Sequence, residues 1–120
     1  MKVYQLNFSP NSMDCLNKLD RLEQMKVLEH FSQLTPNDLK NGNEDLGKFQ
    51  RQGHTFYRLR AGQYRIYFEV NDHEHSLMAH YILTQHSLTD FVMRFKLPLP
   101  DALLLEKHPS FWDYIENLRK

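Results

Sequence analysis

TFYRLRAGQYRIYFEV, Thr55–Val70, decides the fold. Two runs rich in aromatic and branched residues flank Ala61-Gly62-Gln63, a connection short enough only for a hairpin, with Gly62 free to take positive φ. In the second run Tyr64, Ile66, Phe68 and Val70 alternate with Gln63, Arg65, Tyr67 and Glu69. A strand points alternate residues to opposite faces, so the apolar set reads as core and Arg65 and Tyr67 as the other face. In the first run Tyr57 and Leu59 read as core, and Phe56, Arg58 and Arg60 as the opposite face.

The pattern extends in both directions. Asn71–His75 (NDHEH) is a turn, and a third run follows in which Leu77, Ala79, Tyr81 and Leu83 read as core. Met78, His80, Ile82, Thr84 and, if the alternation continues, His86 read as the open face. Strands at about 54–61, 63–71 and 76–84 are predicted to form an antiparallel meander. Upstream, Lys2–Phe8 (KVYQLNF) is a further predicted strand. Ser9 is a helix N-cap with Pro10 at the first helical position, and Asp20 with Glu23 resembles a capping box. Two helices, about 11–19 and 21–34, are expected as a hairpin on the sheet. Leu22, Met25, Leu28 and Phe31 form the apolar stripe of the second, widened by Val27 and Leu34. Thr35-Pro36 stops it, and Asn41–Gly47 reads as loop.

Downstream the signals turn helical again. Ser87 and Asp90 are spaced as a cap and its partner, Leu97–Pro100 (LPLP) breaks the chain, and residues 102–107 suit a helical turn. A last helix from Ser110 carries Phe111, Trp112, Ile115 and Leu118, and is expected to dock on the domain or to form a homodimer surface. The whole is predicted to be one α+β domain, residues 1–120: an N-terminal strand, a helical hairpin, a three-stranded antiparallel meander, and a C-terminal helical extension over 96–120.

Composition fits a single soluble core. Of 120 residues, 41% are hydrophobic and 25% charged. The lone Cys15 forms no internal disulfide. The start, MKVYQLNFSP, lacks a signal-peptide core and nothing later approaches a membrane span, so a cytoplasmic protein without a membrane partner is expected. Fifteen basic residues balance 15 acidic ones, so binding to a polyanion must rest on local charge. That charge lies between Leu46 and Phe68, where Lys48, Arg51, Arg58, Arg60 and Arg65 stand with His54 and no acid. Arginine suits phosphate because its planar fork makes two parallel hydrogen bonds, and Tyr67 and Phe56 are placed to stack on bases. His73-x-His75 with Asp72 and Glu74 lacks a second cluster at ligand spacing, so no metal is expected, nor any other cofactor.

The order of elements, with LRAGQYRIYFEV at its centre, resembles the RelE/ParE superfamily of toxin–antitoxin toxins over about residues 1–91. His86–Phe91 (HSLTDF) is similar to the segment that closes that family's active site. HSLTDFVMRFKLP with HPSFWDYI resembles a smaller, cyanobacterial-type branch. The resemblance implies the toxin of a type II toxin–antitoxin system, a ribosome-dependent mRNA endoribonuclease working without metal. In it a ribose 2′-hydroxyl attacks the adjacent phosphate. It implies three partners: a cognate antitoxin protein, the ribosome and mRNA. Carried over by motif, Arg65 is the phosphate-binding arginine of the YR pair, Arg58 a basic position on the preceding strand, and His86 the general acid or base. Arg60, Lys48, Arg51, Tyr67 and Phe56 complete the expected RNA-binding set. Two departures stand out. Phe91 falls where active members commonly carry tyrosine, and Phe56 where a second basic residue often stands. They keep a second expectation open, a catalytically degenerate binding or regulatory module, or a ParE-type gyrase inhibitor.

Overall fold

A computed structural model describes residues 4–42, 45–51, 53–84, 88 and 110–117, with the backbone alone at Arg51, Glu116 and Asn117. The chain divides into two compact units, Met1–Leu83 and Thr84–Lys120.

The first unit opens with strand β1 (Gln5–Phe8) and helices α1 (Pro10–Asn17), α2 (Arg21–Ser32) and α3 (Pro36–Asn41). Strands β2 (Leu46–Arg51), β3 (His54–Ala61), β4 (Tyr64–Asn71) and β5 (Ser76–Thr84) follow. Local chemistry explains each helix start. Ser9 Oγ accepts from the Ser12 amide at 3.1 Å, and Pro10 occupies the first turn. Asp20 Oδ1 accepts from the Glu23 amide at 2.9 Å. At Thr35 the box is reciprocal: Thr35 Oγ1 accepts from the Asp38 amide while Asp38 Oδ2 accepts from the Thr35 amide. Thr35-Pro36 is therefore a beginning as well as an end. A threonine cap with proline at the first helical position launches α3, where sequence alone suggested only a stop.

The sheet runs in the order β1-β5-β4-β3-β2. The expected meander is present as β3-β4-β5, with Gly62 at φ 64° in the first turn. β5 follows β4 through a turn too short for a crossover, which makes that pair antiparallel. β2 is an addition. It pairs antiparallel with β3, Leu46 opposite Leu59 through Arg51 opposite His54, so the stretch read as loop up to Gly47 already enters the sheet at Leu46. β1 pairs parallel with β5, Gln5 opposite Ser76 through Phe8 opposite Ala79. Where β1 ends, side chains continue the pairing. The Ser9 amide and Ser12 Oγ donate to the Ala79 carbonyl, each at 2.9 Å, and Ser9 Oγ donates to the His80 carbonyl at 3.0 Å.

One face of the sheet meets α1 and α2. Its core includes Leu16, Val27, Phe31, Leu34, Leu59, Ile66, Phe68, Leu77 and Ala79. Phe31 packs edge to face on Phe68 at 5.2 Å, and Tyr57 stacks on Phe68 at 5.4 Å. The stripe of α2 is rotated from expectation. Leu22 and Met25 are 63% and 59% exposed, while Gln24 turns inward and its Nε2 donates to the Leu16 and Leu19 carbonyls. Those bonds tie α2 to the end of α1 and roll the helix so that Val27 and Phe31 are the residues buried. β5 also departs from strict alternation. Ile82, expected on the open face, joins the core cluster that contains Leu77 and Ala79, and Leu83 is buried outside it. Burial along β5 therefore stops alternating beyond Ala79.

In the second unit Leu88 is helical and buried. Helix α4 (Phe111–Asn117) buries Phe111, Trp112 and Ile115, with the Phe111 and Trp112 rings edge to face at 5.1 Å. His86, Ser87, Asp90, Phe91 and the segment 102–107 lie outside the described residues, as does Leu118. Among the described residues no helix is long and apolar enough to cross a membrane.

Candidate nucleic-acid interface

The second face of the sheet is set by register. β3 and β4 align Arg58 with Tyr67 and Arg60 with Arg65, while Leu59 aligns with Ile66 on the core side. The same pairing carries Gly47 opposite Arg58 and Phe49 opposite Phe56. Gly47, Phe49, Phe56, Arg58, Arg65 and Tyr67 thus share one face, as strand alternation requires.

Arg65 is 9% exposed, and its Nη1 is buried with no hydrogen-bond partner among the described residues. The neighbouring acid that would make it a structural ion pair, Glu69, is engaged elsewhere: its carboxylate faces His80 Nε2 at 3.0 Å and His54 Nδ1 at 3.9 Å. The His80 approach is close but lacks the alignment of a formed hydrogen bond, since Nε2 has no partner by angle. A buried cationic donor without an acceptor is costly to keep, and a phosphate oxygen is the kind of group that would satisfy it.

Arg58 is half-buried and folds sideways over β2. A Cβ built on Gly47 would fall inside the Arg58 guanidinium, 2.9 Å from Cζ. The glycine leaves the room in which the planar cation lies against the backbone.

The remaining expected residues separate. Arg60 is exposed and borders a different groove, of about 290 Å³, with His30, Asp38 and Asp45. Lys48 lies over the Tyr57 ring, its Nζ 6.0 Å from the centroid; Tyr57 belongs to the helix side, so Lys48 is on the opposite face from Arg58 and Arg65. Arg51 ends β2 opposite His54. Tyr67 and Phe56 do not present rings for base stacking. Tyr67 is fully buried and Phe56 is 6% exposed. Their rings are taken up by Phe49, which stacks on Phe56 at 5.8 Å and meets Tyr67 edge-on at 6.0 Å. The aromatic partner from β2 explains the difference: without that strand, the face was counted as open. Gly47, Phe49, His54, Glu69 and His80 had no site role from sequence. Alternation already placed Glu69 and His80 on this face, and that was the signal available. Among the described residues no group of three or more His, Cys, Asp or Glu side chains is placed to hold a metal.

No protein-family model and no curated protein matches the chain. Solved structures match it. An archaeal RelE–RelB complex from Pyrococcus horikoshii OT3 aligns with a TM-score of 0.56 at 20% identity, covering 70% of this chain and 97% of that one. The toxin–antitoxin complex RelBE2 from Mycobacterium tuberculosis aligns with a TM-score of 0.53 at 17% identity, covering 69% and 99%. The fold is that of RelE toxins. The helices and five-stranded mixed sheet of this chain are thus the RelE α+β arrangement, and Arg58 and Arg65 lie on one face of that sheet.

Proposed function

We propose that this chain is the toxin of a type II toxin–antitoxin system, neutralised by a cognate antitoxin protein, and that it cuts mRNA on the ribosome without metal. The observation that carries the reading is Arg65, a buried guanidinium whose Nη1 has no partner among the described residues and which shares a sheet face with Arg58. Attack of a 2′-hydroxyl on phosphorus builds negative charge on the phosphoryl oxygens, and fixed cations aimed at that charge are a large source of rate. The RelE fold and its neighbours' occurrence with antitoxins support the toxin reading. The resemblance alone put forward His86 for proton transfer; it lies outside the described residues.

A second reading has its own observation. Tyr67 and Phe56 are buried, and Phe91 supplies no hydroxyl, as in a module that kept the fold and binds without cutting. Induced expression with mapping of mRNA 5′ ends separates the two. New 5′ ends within codons on translating messages are expected, and Arg65→Ala should remove both them and the growth arrest while the purified variant keeps its fold, since no ion pair among the described residues is broken. Growth arrest without new ends would favour the binding module. Full toxicity in Arg65→Ala would refute the assignment of Arg65.

A further inference from the structure

Three titratable side chains from three adjacent strands form a row on the arginine face. Glu69 of β4 stands between His80 of β5 and His54 of β3, with contacts of 3.0 Å and 3.9 Å to separate carboxylate oxygens. The His80 and Glu69 side chains are 32% and 34% exposed, and His54 is 67% exposed. Exposed ion pairs contribute little to stability, so the row is not explained as a staple.

Its surroundings are those of a site. Glu69 and His80 line a groove of about 380 Å³ with Met78, Val70, Asn71 and Asp72. The His80 ring leans on Phe56 at 5.5 Å and 59°. Its backbone is fixed from the far side, because Ser9 Oγ donates to the His80 carbonyl and the Ala79 carbonyl takes two further bonds. His80 also stands next to the point at which β1 stops pairing. Nε2 of His80 is turned inward to the carboxylate and buried, which leaves Nδ1 as the ring nitrogen for a substrate. The negative charge of a carboxylate at that distance steadies the cation that forms when the other nitrogen takes a proton.

We propose that His80 and His54 are the general base and general acid of this face, with Glu69 the shared carboxylate that positions them. The proposal rests on the nuclease reading and names its proton-transfer groups. The row lies two residues along β4 from the Tyr67–Arg58 level, roughly 7 Å of strand, so one extended strand of RNA passes both. In the step, His80 Nδ1 takes the 2′-hydroxyl proton as the 2′-oxygen bonds to phosphorus. The P–O5′ bond breaks, and the leaving 5′-oxygen takes a proton from the His54 imidazolium. The products are a 2′,3′-cyclic phosphate and a 5′-hydroxyl, and proton exchange with solvent restores the two imidazoles. Among the described residues, the titratable groups around His80 are Glu69 from β4, His54 from β3 across that carboxylate, and Asp72 of the turn bordering the groove.

The test is single-turnover cleavage of mRNA on programmed ribosomes, measured from about pH 5 to pH 8, where imidazoles change charge. Wild type should give a bell-shaped profile. His80→Ala and His80→Gln should each lower the rate about 10²–10⁴-fold and remove the acidic limb. His54→Ala should remove the alkaline limb, and Glu69→Gln should slow cleavage. All four should keep wild-type affinity for ribosomes, since Arg58 and Arg65 remain. Cleavage at the wild-type rate in the His80 variants overturns this assignment alone, as does a loss of ribosome affinity that accounts for their whole defect. A wild-type protein that cuts nothing overturns the assignment together with the nuclease reading.

Discussion

The two faces of the β3–β4 ladder share a backbone and differ in what their burial accomplishes. On the helix side Ile66 and Phe68 are fully buried among Phe31, Val27 and Leu59, an apolar layer that removes area from water and asks for no partners. On the other side Arg65 is nearly as buried, yet it keeps a guanidinium nitrogen without an acceptor, and Glu69 is held between two histidines rather than paired with that cation. A sequence selected for stability alone would place an apolar side chain at 65, because replacing buried charge by well-packed hydrophobic residues is often stabilising. One period-two alternation thus supplies the apolar core from its even positions in β4 and the arginine-bearing face from its odd ones.

The largest effect should come from the helix side. Phe68 is fully buried and touches both Phe31 and Tyr57. Phe68→Ala should cost about 3–5 kcal/mol through lost transfer energy and the cavity left behind, read as a shift in denaturant midpoint. An equal loss in Arg65→Ala would break the division between the faces, since it would make the arginine a packing residue too.

A smaller effect is expected at Gly47. Any side chain there displaces the Arg58 guanidinium. Gly47→Ala should weaken ribosome binding about tenfold, near the worth of one charge-assisted hydrogen bond, with little change in melting temperature. In an Arg58→Ala background the same substitution should add nothing, because coupled residues are not additive. A full additional loss in the double variant would show that Gly47 acts through the β2 backbone instead.

What was legible in the sequence follows the strength of local periodicity. The β3–β4–β5 meander was plain because ten apolar or aromatic residues alternate across two short turns, and the Ser9 and Asp20 caps because their partners are three residues away. β2 was not legible. LGKFQR mixes Lys48, Gln50 and Arg51 with one phenylalanine, and its strand character comes from pairing with β3, a tertiary effect that outweighs propensity. Helix α3 buries no residue, so it offered no apolar stripe, only the Thr35–Asp38 box. Missing β2 had a consequence at the site: without Phe49, Phe56 and Tyr67 looked free to stack on bases. Arg58 and Arg65 were placed on the correct face because parity along a strand does not depend on which strand lies beyond it.

The smallest effect is a pH dependence belonging to the helix side. Tyr64 is half-buried there, and its phenol is held above the usual tyrosine range, first by burial, then by the Glu23 charge, its hydrogen bond to Glu23, and Asp20. A raised folded-state pKa means the fold favours the neutral phenol. Its contribution is fully present below the unfolded-state value of about 10 and is lost as pH rises through the folded-state value. Stability should therefore fall with pH above about 10, and Tyr64→Phe should flatten part of that fall. Tyr4, raised by burial and then by Asp72 and Tyr57, supplies a second share, so the slope should shrink without vanishing. Glu23→Gln should flatten it as well, because the carboxylate charge and its hydrogen bond act on the same phenol. Urea titrations at about pH 9 and pH 11, on either side of that unfolded-state value, measure the difference. An unaltered slope in both variants would mean that the α2–β4 contact opens before the phenol ionises, and that the helix side is less rigid at Tyr64 than at Phe68.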